Sequence, residues 1–159
     1  MKNRRSILSI VALMLLAVVI ASGNALAQKA SEMDAVKAAN QAFYTALSAR
    51  DIGAMQKLWS SDADIQNIGP RSKTIDVGWN AMKKGFEAVF DNFPELKVSM
   101  EQPRIKINGS TAWVSGIEKA QRKNKAGEAG TGTNLGTSIF VKQSGRWLMV
   151  YHHASAVPE

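Results

Sequence analysis

The stretch WLMVYHHAS, from Trp147 to Ser155, contains both histidines of the chain, His152 and His153. Histidine is the usual proton carrier near neutral pH, so this stretch is a candidate for acid/base chemistry. Neighbouring residues of a strand point to opposite faces, so the two imidazoles cannot reach one ligand unless a bulge intervenes. We therefore expect no metal site here, and no cofactor.

A regular strand would divide this stretch into two faces. One face would carry Trp147, Met149, Tyr151, His153 and Ser155, and the other Leu148, Val150, His152 and Ala154. We expect one face to line the protein interior and the other to form a subunit contact, and the alternation leaves open which is which. Each histidine is either an acid/base group or a structural histidine that is hydrogen-bonded in the interior or at an interface.

Carboxylates that could assist a histidine are few in the second half of the sequence. No aspartate follows Asp91, and the later acids are Glu95, Glu101, Glu118, Glu128 and Glu159. Glu118, in the stretch GIEKA, would be the best catalytic carboxylate if it pointed into an apolar interior, where it would need a partner or a raised pKa. The alternative is a solvated strand residue.

Residues 1–27 have the pattern of a secretory signal peptide. Lys2, Arg4 and Arg5 precede an apolar run, and Ala25-Leu26-Ala27 matches a cleavage site. We expect cleavage after Ala27, so that the protein is periplasmic or secreted and touches the membrane only during export. Loss of the three basic residues leaves 17 basic against 13 acidic side chains, a net charge of +4.

The remaining 132 residues suit one domain with a single core. The chain has no cysteine, which excludes disulfides and thiolate chemistry. The basic patch QRKNK, residues 121–125, has no aromatic residues among its charges, so we read it as a solvated hairpin end and expect no nucleic-acid partner.

Helical patterns come first in this domain, and strands follow. The spacing predicts a helix from a cap at Ser31 to about Arg50, a second helix capped by Asp51, and a third capped by Asp76 and ended by Pro94. A short strand lies between the second and third helices. From residue 96 onward four strands follow, and the pair Asn108-Gly109 marks a hairpin between the first two. This order predicts an α+β fold in which the helices cover one face of a curved sheet.

Four stretches, residues 49–65, 78–90, 110–116 and 144–155, resemble the SnoaL-like branch of the nuclear transport factor 2-like superfamily. The most specific match is the last, in which Gly145-Arg146-Trp147 leads to His153 and Ser155. The resemblance implies a cone-shaped, mostly antiparallel sheet wrapped around the N-terminal helices, as in ketosteroid isomerase, with an apolar pocket at its open end. It also implies a homodimer that pairs through the sheet, and it singles out His153 as the histidine with a defined partner.

Ketosteroid isomerase chemistry needs side chains that this sequence lacks. The resemblance places Asn67 at the position of the carboxylate base, and an amide cannot accept the proton. The tyrosine of that enzyme falls on Phe43 or Tyr44, and its late aspartate falls among Asn134 to Thr137, where no acid occurs. The same type of isomerase chemistry is therefore not expected.

A pocket for a small amphipathic organic ligand remains compatible with the sequence. Its predicted lining combines aromatic and polar side chains with a final-strand histidine: Tyr44, Trp59, Asn67, Trp79, Trp113, Glu118 and Asn134. The aromatic residues could instead fill the core. We thus predict either a ligand-binding domain with isomerase, dehydratase or hydrolase activity, in which His153 or His152 is the acid or base, or a non-catalytic dimeric interaction module.

Overall fold

The computed structural model describes residues 28–158. The chain divides into two compact units, Met1–Asp34 and Ala35–Glu159. Residues 28–34 are helical, and everything below concerns the second unit unless stated. The predicted signal peptide, residues 1–27, lies outside the described residues.

Three helices occur within the described part of the chain: α1, described over residues 28–49, α2 (Ile52–Leu58) and α3 (Gly78–Asn92). Buried residues recur on α1 at helical spacing, at Val36, Asn40, Phe43 and Tyr44, so that one face of α1 packs into the interior. The predicted helix start at Ser31 is wrong, because residues 28–30 are already helical.

The second helix begins as predicted, and the third does not. The Asp51 carboxylate accepts a hydrogen bond from the backbone N–H of Ala54 at 2.8 Å, which confirms the N-cap of α2. Asp76 instead belongs to a short strand, and Val77 precedes α3 without a capping side chain. Gly78 makes this entry possible, because it has a φ of 74° and donates its N–H to the carbonyl of Ile65.

Six strands form one curved, mixed sheet in the described structure. They are β1 (Gln66–Ile68), β2 (Asp76–Val77), β3 (Glu95–Asn108), β4 (Thr111–Lys123), β5 (Ala129–Gln143) and β6 (Arg146–Ala156), in the order β2-β1-β6-β5-β4-β3. Only the β1–β6 pair is parallel. The predicted α+β fold and the Asn108-Gly109 hairpin are confirmed, and α3 ends before Pro94 as expected.

The core lies between the helices and the inner face of the sheet. Its fully buried side chains come from both, and they include Phe43, Met55, Met82, Phe140 and Met149. This packing decides which side chains of the central strands face the interior, and so which of the candidate residues can meet.

Candidate functional site

A bulge in β6 decides the orientation of the two histidines. Two neighbouring residues of β5, Ile139 and Phe140, pair with Tyr151 and Met149, which leaves Val150 as an extra residue between them. An extra residue shifts the alternation of the strand by one position. The face assignment made for a regular strand therefore cannot hold on both sides of Val150.

Beyond the bulge, His152 is buried and His153 is not. Trp147 and Met149 share the buried face with His152, which is 5% exposed, rather than with His153 as a regular strand would require. His153 lies on the outer face, where its Nε2 is 3.2 Å from the hydroxyl of Ser155. The predicted grouping is wrong for this reason, and the interior histidine is His152.

The buried carboxyl of Glu118 is the centre of a polar cluster on the inner face of β4. The hydroxyl of Tyr44 donates a hydrogen bond to Glu118 Oε1 at 2.7 Å, and the amide of Asn134 donates to Oε2 at 3.4 Å. His152 Nε2 lies 3.3 Å from Oε1. Glu118 is only 3% exposed, so the reading of this residue as a solvated strand position is wrong.

The sheet register and one glycine make room for this carboxyl. Glu118 pairs with Asn134, and Asn67 of β1 pairs with His152, so that strands far apart in sequence direct these side chains to one place. Gly136 lies next to Asn134 on the inner face, and a Cβ atom there would stand 2.5 Å from Glu118 Oε1. The absence of a side chain at Gly136 therefore gives the carboxyl its space.

Burial makes Glu118 a weaker acid than an exposed glutamate. The pKa of Glu118 is raised because desolvation of the charged form outweighs the hydrogen bonds from Tyr44 and Asn134, which lower it together with the charge of His153. Burial likewise raises the pKa of Tyr44, with a further contribution from the Glu118 charge. The Tyr44 hydroxyl therefore stays protonated and acts as a hydrogen-bond donor.

His152 is a neutral imidazole in this cluster. Burial, followed by the charge of His153, lowers the pKa of His152 to about 3. The 3.3 Å contact with Glu118 therefore joins a neutral ring to the carboxyl and is not an ion pair at neutral pH. The other ring nitrogen, Nδ1, lies 3.1 Å from the hydroxyl of Ser138.

The neutral ring of His152 has one donor nitrogen and one acceptor nitrogen. Nε2 faces Glu118 at 3.3 Å and Nδ1 faces Ser138 at 3.1 Å, so the tautomer of the ring can match the protonation state of the carboxyl.

A cavity of about 870 Å³ opens beside this cluster. Its polar lining includes Asn67, Glu118, Asn134 and His152. Its apolar walls come from α1, α3 and the strands, and include Phe43, Leu47, Phe86, Val89 and Val98. This combination of an apolar wall with a few converging polar groups is typical of small-molecule sites.

The other predicted site residues lie elsewhere. Tyr44 is buried behind Glu118, and Trp59 is buried in the core with its ring 6.3 Å from that of Phe43. Trp79 is half-buried against the core, and Trp113 is 41% exposed on the outer face of the sheet. The three tryptophans do not line the cavity, because their positions on the elements direct them away from it.

The sequence reasoning missed three residues that the structure brings to the site: Phe43 as a wall, Ser138 and Arg122. Ser138 pairs with His152 across β5 and β6 and is fully buried. The one available signal was its spacing of four residues from Asn134, which places both side chains on one face of a strand.

A second, shallower groove of about 830 Å³ lies at the far end of β3 and β4, where Pro94, Lys97 and Lys123 line it. It contains neither Glu118 nor a histidine, so we place no chemistry there. Over residues 28–158, no group of three or more histidine or acidic side chains is arranged to hold a metal ion. The same residues contain no helix that is both long and apolar enough to cross a membrane.

The buried neutral state of His152 predicts a pH dependence of stability. The pKa is about 3 in the folded protein and about 6.5 in the unfolded chain, so the unfolded chain binds the extra proton as the pH falls between these values. Stability from this residue is thus complete above pH 6.5 and is lost toward pH 3. Between pH 6.5 and pH 5, wild type should lose about 1.5 kcal/mol more than His152→Gln.

Urea titrations of both proteins at each pH would measure this difference, provided that the dependence of the free energy on urea stays the same. Equal losses in wild type and His152→Gln would contradict a buried neutral imidazole.

With this geometry established, the relatives of the chain can be compared. The SnoaL-like domain profile matches residues 36–159, which is most of the chain, and the chain belongs to this family. The earlier resemblance is thereby confirmed.

Solved structures share the fold. A candidate dehydratase of the nuclear transport factor 2-like family from Streptomyces avermitilis superposes with a TM-score of 0.74 at 20% identity, over 81% of this chain and 99% of the other. A ketosteroid isomerase-like protein from Erwinia carotovora atroseptica gives a TM-score of 0.69 at 20% identity, over 80% and 98%. The CaMKII hub of S. rosetta gives 0.67 at 22% identity, over 78% and 95%.

A curated relative is the F-box protein SKIP8 of Arabidopsis thaliana, which is 26% identical over 123 residues. The match covers 77% of this chain and half of that protein's length. The family match and the superpositions together establish the SnoaL-like family and its nuclear transport factor 2-like fold for this chain.

Proposed function

We propose that this protein, exported as its first residues predict, binds a small amphipathic organic molecule in the cavity and performs acid/base chemistry on it with Glu118. The observation that carries this proposal is the buried carboxyl of Glu118, which lines a cavity of about 870 Å³ and is held by Tyr44, Asn134 and His152. Isomerase, dehydratase and hydrolase reactions all require such a proton transfer.

Glu118 suits this role because of its pKa and its surroundings. A catalytic acid or base works best when its pKa lies near the working pH, and burial raises the pKa of Glu118 in that direction. Tyr44 and Asn134 fix the orientation of the carboxyl, and the neutral ring of His152 lies against it, held in turn by Ser138. In this scheme His152 acts through Glu118 and is not the group that meets the ligand first.

The placement of the carboxyl differs from the placement that the resemblance to ketosteroid isomerase implied. The carboxyl comes from β4 and not from the first strand, where Asn67 supplies an amide to the cavity wall. Asn67 can donate or accept a hydrogen bond and thus orient a carbonyl or hydroxyl group of the ligand. The reacting group should therefore bind between Asn67 and Glu118.

Ligand binding in the cavity can be tested before any substrate is known. N-phenyl-1-naphthylamine, a neutral apolar dye that fluoresces when it is bound, should bind wild type and lose at least about tenfold in affinity in Ala120→Leu, because the added side chain occupies part of the cavity. Ala126→Leu adds the same atoms at an exposed turn and should bind like wild type.

Native mass spectrometry of gently purified protein should in addition reveal a releasable ligand. If the dye binds Ala120→Leu as well as wild type, or if no dye and no natural ligand binds at all, the proposed site is wrong. A chain of bare mass would then favour the interaction module.

Self-association is supported by a second observation, on the outer face of the sheet. Trp113 and Leu135 are 41% and 61% exposed there, and the strand register places Ile117, Ile139 and Tyr151 beside them. These five residues form an apolar outer patch of the kind that marks interaction sites. The solved relatives include the CaMKII hub of S. rosetta, and such hub domains are oligomeric.

We accordingly propose a homodimer that forms through this outer patch. Leu135→Lys should convert the dimer to a monomer in light scattering, since a buried lysine would be unpaired at the interface. Ile75→Lys changes another exposed apolar residue, away from the patch, and should leave the mass unchanged. An unchanged mass for Leu135→Lys would exclude pairing through the outer patch.

A further inference from the structure

Arg122 is a cationic side chain that lines the cavity without an acidic partner. Its guanidinium lies 5.5 Å from the centre of the Phe93 ring, and its side chain is half-buried. Among residues 28–158, no carboxylate forms an ion pair with it. An arginine is always charged, and its fork of N–H donors matches the geometry of carboxylate, sulfonate and phosphate groups.

Two glycines of β5 lie beside this guanidinium. Gly130 pairs with Arg122, and Gly132 pairs with Ala120. A Cβ atom at Gly132 would stand 3.4 Å from Arg122 Nη1, and one at Gly130 would stand 3.6 Å from Nε. The arginine therefore lies across the two glycines, at the distance of an ordinary van der Waals contact from a Cβ atom at either position.

Arg122 and Glu118 stand at two ends of one small-residue surface. Both face inward from β4, four residues apart, so their Cα atoms are separated by about 13 Å. On β4 the residue between them on the inner face is Ala120, flanked by Gly132 of β5 and Val98 of β3, which leaves room for a ligand along the strand. The apolar cavity wall with Phe86 and Val89 lies over this surface.

We propose that the ligand of this cavity is an organic anion whose acidic group binds Arg122 and whose apolar body reaches along Ala120 to the reacting end at Glu118. The proposal rests on the proposed function and adds the chemical class of the substrate. Besides Glu118 and Arg122, the cavity lining holds two charged residues, Arg71 and Asp76, so its cationic residues are the two arginines. The separation keeps the negative group of the ligand away from the Glu118 carboxyl.

Two dyes that differ by one acidic group test this inference. The probe 1-anilinonaphthalene-8-sulfonate carries a sulfonate that N-phenyl-1-naphthylamine lacks. Arg122→Met keeps the length and apolar character of the side chain and removes its charge. We expect it to weaken binding of the sulfonate dye at least about tenfold and to change binding of the neutral dye less than about twofold.

The neighbouring Lys123→Met is the matched control, because it removes one cation that points away from the cavity and pairs with Glu95 at 3.1 Å. It should leave both affinities within about twofold. Ala120→Leu blocks part of the cavity, so the sulfonate-dye binding that this variant loses is the binding in the cavity, and the binding that remains is elsewhere, such as on the outer patch. Displacement of the neutral dye by decanoate but not by 1-decanol would extend the result from sulfonates to carboxylates.

The outcomes separate this inference from the proposed function. Suppose that the neutral dye binds in the cavity, and that Arg122→Met weakens binding of the two dyes by the same factor or changes neither. The anion site is then wrong and the cavity proposal stands. Better displacement by 1-decanol than by decanoate would also overturn it. If neither dye binds in the cavity of wild type, both proposals fail.

Discussion

Replacement of Glu118 by leucine is expected to lower the free energy of unfolding by about 3–5 kcal/mol, although leucine is the more apolar residue. The carboxyl accepts hydrogen bonds from two buried groups, those of Tyr44 and Asn134, and lies 3.3 Å from a third, His152 Nε2. Leucine would leave these largely buried groups without that acceptor, and each unsatisfied buried group costs about 1–3 kcal/mol. Urea denaturation at pH 7, followed by circular dichroism, would measure this loss.

Two variants make the result specific to the hydrogen bonds. Glu118→Gln has nearly the same shape and keeps one acceptor oxygen, so it should cost about 1.5 kcal/mol or less. The double variant Tyr44→Phe/Glu118→Leu removes both partners of the 2.7 Å hydrogen bond. Its loss of unfolding free energy should therefore be smaller than the sum of the losses in the two single variants. A Glu118→Leu protein as stable as wild type would show that the polar cluster does not form.

The largest functional effect is expected from Glu118→Gln. This change keeps the size and hydrogen-bonding shape of the side chain but removes its capacity to transfer a proton. Because general acid/base catalysis contributes about 10²–10⁴-fold, turnover should fall by that factor while the ligand still binds. Initial rates on the compound that native mass spectrometry recovers from the cavity would measure the effect, and fluorescence titration would measure binding.

Glu128→Gln, at an exposed turn, removes a carboxylate outside the site and should retain full activity. His152→Gln should lower turnover less than Glu118→Gln and alter the pH profile, because His152 contacts Glu118 and helps to position it. Full turnover by Glu118→Gln would rule out the proton-transfer role of this carboxyl. If the His153→Gln protein alone lost activity, the outer-face histidine would be the catalytic one.

Local sequence patterns predicted the elements well because each pattern reports interactions between near neighbours. The carboxylate of Asp51 caps α2 from three residues away, and Asn108-Gly109 closes a hairpin whose strands are adjacent in sequence. Asp76 shows the limit of this reasoning. An acid before a helix resembles a cap, yet its pairing with Asn67 made it part of a strand.

The candidate site was predictable only in part. The residue types in the lining, Asn67, Glu118 and Asn134, could be named, because polar residues within apolar strand patterns are conspicuous. Their mutual distances could not, since β4, β5 and β6 meet only through the sheet register. The exposed position of Trp113 was missed for the same reason, because an aromatic residue in a strand fits either face.

The sequence by itself determined the order of helices and strands, the family, and the scarcity of acids and histidines that narrows the candidates for chemistry. Only the tertiary structure decided which of them meet. The bulge at Val150 turns His152 inward, and the small residue Gly136 admits the carboxyl of Glu118. The physical reason is that side-chain direction in a strand has a period of two, so one extra residue, placed by long-range pairing, reverses every assignment beyond it.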